Sequence, residues 1–390
     1  MSVLLDVEQH DHLLQRIVAI HLSPRRRAGL IAPWAPPAYA TTADRVVSAL
    51  EMSPDHAAFR WLDLDVLAGS GGSDLVGRKV MVTGSTGFIG AAIVHALAAL
   101  GAKDLVALRR RSSDTYRLRS VAGLLEFVEV DLRNAAEVRE AIRRTRPEVV
   151  FHCAVYGGVY GQADAEVIRA TTVDGTANLL TALEEDGSCE LLVNSGSSSE
   201  YGASTEPMRE TQSLGATSGY AAAKAEATVL CQAAHARGRI ATATVRPFST
   251  YGPLEESNRL LPSLLRALLA GEAPKVGSGR QPRDWIYVGD LVELYFRVAT
   301  QPGARGLVFN GGGGRDTTVR DMVETAVEVV AETTGRRIEP AWGAFPDRPD
   351  EPPRWCADMT RAADLLGFRT RTDLHTGVVR TVAFALDSPR

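Results

Sequence analysis

Cysteine is scarce in this chain of 390 residues. Its four cysteines are Cys153, Cys189, Cys231 and Cys356, and no two of them form a C-x-x-C pair. This irregular spacing argues against a disulfide framework and against a cysteine zinc site. We therefore expect reduced thiols, a cytoplasmic location and no bound metal.

The chain also lacks a strong charge of one sign and long apolar runs. It carries 43 Lys and Arg against 47 Asp and Glu, a formal net charge of −4, which gives no general attraction to nucleic acid or to an anionic membrane. No apolar run reaches the roughly 18 residues of a membrane span, and the first residues do not form a signal-peptide pattern. The 45% apolar content is ordinary for a globular protein with one large core or two modest ones.

Strand and helix patterns alternate from about residue 78 to about residue 250. The predicted strands are 79–83, 104–108, 125–130, 149–154, 190–195 and 241–246, and the predicted helices lie near 90–100, 135–145, 163–184 and 219–237. This alternation predicts an α/β fold with a Rossmann-type, doubly wound parallel sheet, whose ligands lie beyond the carboxyl ends of the strands. We divide the chain into a helical N-terminal extension (1–76), a dinucleotide-binding domain (77–250) and a smaller C-terminal lobe (251–390), mainly for substrate.

The N-terminal extension is unusual, because folds of this kind commonly begin with the first strand. We expect helices at 9–21 and 42–51 and a flexible GSGGS linker at 69–73. We interpret the extension as an arm that packs against the fold or between subunits. The alternative is a cover over the mouth of the active site.

The most informative segment is VMVTGSTGFIG at residues 80–90. An apolar strand leads into three spaced glycines, and an apolar helix follows. Such glycines let the backbone approach a pyrophosphate, which then lies at the positive end of the helix. The pattern predicts a dinucleotide site formed by Gly84, Thr86, Gly87, Phe88, Ile89 and Gly90. The alternative is a strand–helix turn that binds no ligand.

The second predicted strand ends in Arg109, Arg110 and Arg111. Arg109 stands 19 residues after Gly90, where an NAD site has an acidic side chain for the ribose hydroxyls. A guanidinium suits a 2′-phosphate instead, because its planar donors match phosphate oxygens. Arg109 and Arg110 therefore favour NADP(H), with NAD left open. The alternative is an exposed basic loop.

Three further residues form a candidate catalytic group. Tyr220 and Lys224, in TSGYAAAKAEA, stand one helical turn apart and share a helix face. A nearby ammonium and an oxidised nicotinamide would favour the phenolate of a tyrosine whose reference pKa is about 10. Ser197, in the serine-rich loop after the fifth strand, can share a substrate oxygen with Tyr220. Neither the Tyr-x-x-x-Lys spacing nor the serine-rich loop alone identifies a catalytic site. The alternative for the serine-rich loop is an ordinary turn.

Seven ordered motifs resemble the extended short-chain dehydrogenases/reductases, in particular the branch of nucleotide-sugar epimerases, dehydratases and reductases. The motifs are GSTGFIG, the pair DL at 131–132, FHCAVYGG, SSSEYG, YAAAK, RPFSTYGP and RDWIYVGD, within about residues 78–380. The resemblance implies a catalytic triad of Ser197, Tyr220 and Lys224, and a homodimer formed through the helices near 163–184 and 219–237. It implies that Tyr220 and Lys224 also contact the cofactor, with further cofactor contacts from Asp131, Leu132, Cys153, Ala154 and Pro247. It implies that Arg283 and Arg348 bind the diphosphate of a nucleotide-sugar substrate.

The sequence departs from the family pattern at several substrate positions. The family often has asparagine where Thr172 and Ser249 stand here. The dehydratases have an Asp-Glu pair directly after the catalytic Ser or Thr, because eliminating water needs an acid and a base. Here Ser198 and Ser199 stand there as candidate substrate contacts. Glu200 follows, and strand-like alternation would aim it elsewhere. Dehydration is therefore disfavoured.

These observations predict an NADPH-dependent ketoreductase that acts on a nucleoside-diphosphate keto-deoxysugar, with C4 as the preferred carbon, in deoxysugar biosynthesis. A reductase consumes a reduced cofactor in each turnover, whereas an epimerase regenerates a retained NAD, so the arginines bear on the reaction as well as on the cofactor. One alternative is an NDP-sugar 4-epimerase with tightly bound NAD. Another is a non-enzymatic dinucleotide-binding sensor or scaffold, which would have no use for Ser197, Tyr220 and Lys224.

Overall fold

The computed structural model of the protein describes residues 59–158, 162–347 and 351–387. Both helices predicted in the N-terminal extension, and Arg348, lie outside the described residues. The helices of the described ranges are all too short or too polar to cross a membrane.

The strands define the core of the molecule and are numbered along the chain. They are β1 (Val80–Thr83), β2 (Leu105–Arg109), β3 (Leu125–Glu129), β4 (Val149–His152), β5 (Leu191–Ser195), β6 (Ala241–Pro247), β7 (Ser249–Tyr251), β8 (Pro282–Arg283), β9 (Trp285–Tyr287), β10 (Val308–Gly311) and β11 (Thr317–Thr318). A seven-stranded parallel sheet has the order β3-β2-β1-β4-β5-β6-β10. Two small pairs, β7 with β9 and β8 with β11, lie outside it.

The helices follow the same numbering. They are α1 (Leu64–Leu67), α2 (Ser73–Val76), α3 (Phe88–Ala99), α4 (Ala135–Thr145), α5 (Ala165–Arg169), α6 (Gly175–Asp186), α7 (Gly219–Ala236), α8 (Leu260–Ala270), α9 (Val288–Thr300), α10 (Val319–Thr334), α11 (Thr360–Leu366) and α12 (Leu374–Asp387).

The predicted Rossmann-type sheet is confirmed, and its six predicted strands are found with ends that differ by one or two residues. Every residue of β1 and of β4 is buried, as expected for parallel strands covered on both faces. Strand order reverses where β1 pairs with both β2 and β4. Ligands of such sheets bind in the crevice at this reversal, beyond the carboxyl ends of the strands.

The glycine-rich segment 69–73 is not a flexible linker, and that prediction is wrong. A π-helical turn (Ala68–Gly72) joins α1 to α2, and Gly71 has a φ of 98°. A Cβ at Gly71 would lie 2.7 Å from Thr300 Cγ2, and a Cβ at Gly72 would lie 2.5 Å from the Leu67 carbonyl oxygen. The glycines therefore permit close packing against α9.

The described part of the extension belongs to the main core. Trp61, Leu67 and Leu75 are buried in the same apolar cluster as β1 and α3. Strand β10 and helix α9, from the predicted substrate lobe, also join the main sheet and its core. The sequence pattern missed β10 because its short apolar run leads directly into four consecutive glycines at 311–314, which are typical of a loop.

A substitution at Gly71 tests whether this segment packs as described. We expect Gly71→Ala to lower the free energy of unfolding by about 2 kcal/mol, because the side chain would meet Thr300 at a positive φ. Gly69→Ala is the matched control, since a Cβ there meets no described atom within 4 Å, and it should change stability by less than about 0.5 kcal/mol. Urea denaturation of both variants is the measurement. Equal stability of the two variants would contradict the packing.

Candidate active site

The three glycines of the first turn have different structural tasks. Gly84 has a φ of 63°, and a Cβ on it would lie 2.6 Å from the Ala154 nitrogen; a Cβ on Gly90 would lie 2.9 Å from the Gly84 carbonyl carbon. Both positions therefore require glycine. Gly87 is the N-cap of α3, and within the described residues no side chain caps this helix. The first N–H groups of α3 thus remain open at the strand reversal, an arrangement that suits a pyrophosphate.

Arg117 connects this glycine turn to a distant loop by hydrogen bonds. It was not predicted as a site residue from the sequence. Its Nη1 donates to the Thr86 carbonyl at 3.0 Å and its Nε donates to the Leu254 carbonyl at 2.6 Å, while Nη2 lies 3.4 Å from Glu256 Oε1. The residue is buried and joins the turn to the loop after β7. A single arginine between β2 and β3 gives no sequence signal, since its partners are distant in the chain.

The carboxyl ends of β2 and β3 border a cavity of about 570 Å³. Its lining is largely charged: Arg110, Arg111, Ser112, Glu129, Val130, Asp131, Arg133 and Glu137. Arg109 is not in this lining. Its Nη2 donates to Glu129 Oε1 at 2.6 Å, and its guanidinium lies over the Phe127 ring. The predicted role of Arg109 in phosphate binding stays a prediction, and Arg110 and Arg111 are better exposed to a ligand.

Other predicted cofactor residues lie near the carboxyl ends of the parallel strands. Phe88 and Ile89 begin α3 and pack against the core. Cys153 and Ala154 follow β4, and the Ala154 N–H donates to Thr83 Oγ1 at 3.2 Å. Burial raises the pKa of the Cys153 thiol to about 12, so it is neutral and unreactive. Leu132 is buried, and Pro247 ends β6.

Asp131 is committed to an ion pair at the edge of the cavity. Arg133 donates to both of its carboxylate oxygens, with Nη2 2.6 Å from Oδ2. These hydrogen bonds hold the pKa of Asp131 below its ordinary value. Asp131 is therefore an ionised acceptor at neutral pH.

The three predicted catalytic residues converge at the carboxyl end of β5. Ser197 is the N-cap of a 3-10 helix (Ser198–Tyr201), and Tyr220 and Lys224 lie in the first turns of α7, which Ser218 caps. Lys224 is buried, and its Nζ donates to the Ser195 carbonyl at 2.6 Å. The Ser195 hydroxyl in turn accepts a hydrogen bond of 2.7 Å from Tyr295.

Burial is the largest cause of the pKa shifts of Tyr220 and Lys224. It raises the pKa of Tyr220, an effect that the hydrogen bond with Ser197 partly opposes. It lowers the pKa of Lys224, and the nearby Glu200 opposes this. The expectation that Lys224 and an oxidised nicotinamide together favour the Tyr220 phenolate stays a prediction, because within the chain burial is the largest influence on this phenol. Tyr220 holds its proton at neutral pH.

The residues after Ser197 differ from the sequence expectation in conformation. Ser199 lies against Ser197, with the hydroxyl oxygens 2.7 Å apart, whereas Ser198 is buried. Glu200 also faces the interior, but through a helical turn rather than a strand. Its carboxylate accepts the Ser197 N–H at 2.7 Å, as the N3 residue of a capping box. The S-x-x-E spacing of Ser197 and Glu200 was the available signal.

Of the predicted substrate residues outside this loop, only Arg283 is described. Its Nη1 forms an ion pair with Glu351, so a diphosphate would have to displace or share this partner. Thr172, where the family often has asparagine, is buried in a π-helical turn (Ala170–Asp174), and its hydroxyl has no hydrogen-bond partner among the described atoms. Across the described ranges, no group of three or more His, Cys, Asp or Glu side chains could hold a metal.

Comparison with known proteins agrees with this geometry. A profile described as the NAD dependent epimerase/dehydratase family matches residues 80–312. The chain is 30% identical over 315 residues to a UDP-glucose 4-epimerase of Mycolicibacterium smegmatis, covering 78% of this chain and 98% of that protein. It is 26% identical over 309 residues to a dTDP-4-dehydro-6-deoxy-D-allose reductase from a Streptomyces species, covering 75% of this chain and 91% of that protein.

Solved structures give the same relationship. MoeE5, in complex with UDP-glucuronic acid and NAD, superposes with a TM-score of 0.67 at 30% sequence identity, covering 78% of this chain and 98% of that chain. The resemblance predicted from seven sequence motifs is confirmed. The chain belongs to the NAD-dependent epimerase/dehydratase family of extended short-chain dehydrogenases/reductases.

Proposed function

We propose that this chain is an NADP(H)-dependent reductase of a nucleoside-diphosphate keto-deoxysugar, with C4 as the reduced carbon. The observation that carries the proposal is the position of the exposed Arg110 and Arg111 in the cavity at the ends of β2 and β3, whose charged lining also includes Glu129, Asp131, Arg133 and Glu137. Guanidinium groups there suit the 2′-phosphate that distinguishes NADP(H) from NAD. A reduced NADP(H) is consumed in each turnover, and this favours reduction over epimerisation.

The residues next to Ser197 support reduction over dehydration. Ser198 and Ser199 stand where an eliminating enzyme needs an acid and a base, and Glu200 is bound to Ser197, Thr228 and Arg246. A carboxylate held by three donors is not available to remove a substrate proton. The nucleotide-sugar substrate class is supported by the relatives, which include a UDP-glucose 4-epimerase and a dTDP-keto-deoxysugar reductase.

The chain's own groups fit the proton steps of a carbonyl reduction. A bound NADPH supplies the hydride to the carbonyl carbon. Tyr220, whose pKa is raised by burial, donates its proton to the alkoxide oxygen that develops. The Ser197 hydroxyl donates a hydrogen bond to the same oxygen. Lys224, one of whose protons is held by the Ser195 carbonyl, has further donors for the nicotinamide ribose, and the uncapped start of α3 would hold the pyrophosphate.

An NDP-sugar 4-epimerase with retained NAD is the second candidate. The 30% identity to a UDP-glucose 4-epimerase over 98% of that protein favours it. Absorbance and mass spectrometry of the purified protein separate the two. Near-stoichiometric NAD without NADPH oxidation on any keto-sugar would contradict the reductase and favour the epimerase.

The predicted homodimer is a further part of this proposal. Val229 is 54% exposed on α7, one of the two predicted pairing helices. The basis for pairing through these helices is the family resemblance.

Tyr220→Phe tests the proton donor. We expect the rate of NADPH oxidation with a panel of NDP-4-keto-6-deoxysugars to fall at least about a hundredfold, because the phenol is the general acid. The dissociation constant of NADPH, measured by calorimetry, separates a loss of the Tyr220 contact with the cofactor from the loss of the proton donor. Unchanged turnover in this variant would contradict the mechanism.

The double variant Arg110→Ala/Arg111→Ala tests the cofactor. Hydrogen bonds to charged groups contribute about 1.5–3 kcal/mol each, and exposure reduces this. We therefore expect KM for NADPH to rise about tenfold to a hundredfold, while KM for NADH stays nearly constant. Arg119→Ala is the matched control, because Arg119 is exposed and outside the cavity lining. A constant NADPH to NADH ratio in the double variant would rule out the cofactor assignment.

A further inference from the structure

A buried ion pair behind the catalytic serine is not used by the mechanism above. Glu200 is 0% exposed and Arg246 is 3% exposed, and Arg246 Nε donates to Glu200 Oε2 at 2.8 Å. Charged groups lose favourable hydration when they are buried, and a pair of them is weak support for stability alone. Its position beside Ser197 therefore suggests a role in the site.

The Glu200 carboxylate joins the three elements that carry the site. Its Oε1 accepts the Ser197 N–H at 2.7 Å, and its Oε2 accepts the Thr228 hydroxyl at 3.0 Å as well as Arg246. Thr228 lies one helical turn after Lys224 on α7, and Arg246 precedes Pro247 on β6. One side chain thus fixes the catalytic loop relative to the catalytic helix.

The surrounding residues pack closely around this carboxylate. A Cβ on Gly196 would lie 2.5 Å from Glu200 Oε1 and 3.1 Å from Arg246 Cγ, so any larger residue before Ser197 would collide with the pair. The Arg246 guanidinium lies 4.5 Å from the centroid of the Tyr201 ring. The Tyr201 hydroxyl donates to Asn310 Oδ1 at 2.6 Å. The pair is therefore held from both sides.

Glu200 also carries a negative charge that raises the pKa of Lys224 and so favours its ammonium form. The titratable groups that act on or are affected by Lys224 are Glu200, Cys153, Cys231 and His152. Burial raises the pKa of both thiols to about 12 and lowers the pKa of His152 to about 3, so these three are neutral near pH 7. Burial also raises the pKa of Glu200, but Arg246 and the hydrogen bonds oppose this.

We propose that Glu200 is a positioning residue: its carboxylate, anchored by Arg246 and Thr228, fixes the backbone at Ser197 and places a negative charge in the buried cluster that contains Lys224. The part that concerns Ser197 rests on the proposed reductase activity, whereas the part that concerns Lys224 does not. A merely structural ion pair would stabilise the fold without changing the titration of Lys224.

The chain allows a direct measurement, because its only four lysines are Lys79, Lys103, Lys224 and Lys275. In protein labelled with 13Cε-lysine, the Lys224 signal is assigned by its loss in Lys224→Arg and followed by NMR against pH. We expect Glu200→Gln to lower the pKa of Lys224 by at least about one unit, a tenfold loss of proton affinity. Glu200→Asp keeps the charge and should restore most of this pKa.

Measurements of kcat and KM test the positioning of Ser197 separately from the effect on Lys224. With the keto-sugar that wild type reduces, Glu200→Gln should lower kcat by about tenfold or more with little change in KM. Glu200→Asp should recover the pKa of Lys224 but less of kcat, because its shorter side chain reaches Ser197 poorly. Glu293→Gln is the matched control: this carboxylate is 2% exposed and accepts from Arg297 Nε at 2.8 Å on α9, and both readouts should match wild type.

The test remains decisive if Glu200→Gln leaves Arg246 unpaired and does not fold. The double variant Glu200→Gln/Arg246→Gln removes both charges together. The pKa of Lys224 should still fall, but by less than in Glu200→Gln, because the loss of the Arg246 cation offsets part of the loss of the Glu200 anion. An unchanged Lys224 titration in a folded variant would overturn the proposal. A lowered Lys224 pKa in protein that reduces no keto-sugar would uphold the charge role of Glu200 and count against the proposed reaction instead.

Discussion

The close approach of the Gly84 turn to the end of β4 is the constraint on which the site depends. The backbone of Gly84 lies so near Ala154 that no side chain fits between them, and this contact aims the start of α3 at the crevice between β1 and β4. Arg117 then ties the Thr86 carbonyl to Leu254 in the loop after β7. The anion-binding end of the sheet and the loop that borders the C-terminal lobe are thus held by one buried guanidinium.

A second constraint is the burial of charge around Lys224. Its ammonium has a backbone partner in Ser195 and an electrostatic partner in Glu200. Burial that destabilises the ammonium also destabilises the phenolate of Tyr220. One desolvated environment therefore keeps the tyrosine protonated, and a nearby carboxylate favours the ammonium form of the lysine. The proposed proton donor is therefore present in its protonated form.

The sequence predicted best those features in which a local residue pattern and a chemically distinctive residue occur together. The strands, the glycine turn and the grouping of Ser197, Tyr220 and Lys224 could be predicted, because each depends on local pattern and on the topology of parallel sheets. Long-range pairing could not be read in the same way. Glu129, which neutralises Arg109, lies on the neighbouring strand, and the partners of Arg117 come from distant segments. The GSGGS run resembled a linker because glycine marks both flexibility and close packing, and only the position of Thr300 separates them.

Because Arg109 is paired with Glu129, the proposed preference for NADP(H) depends on Arg110 and Arg111. An arginine that is already neutralised by Glu129 and stacked on Phe127 gains little from a phosphate, since its charge is partly compensated and its orientation is fixed. Arg110 and Arg111 line the cavity and are exposed. Under the proposed function, this pair would contact the phosphate that distinguishes NADP(H) from NAD, while Arg109 keeps its partner Glu129.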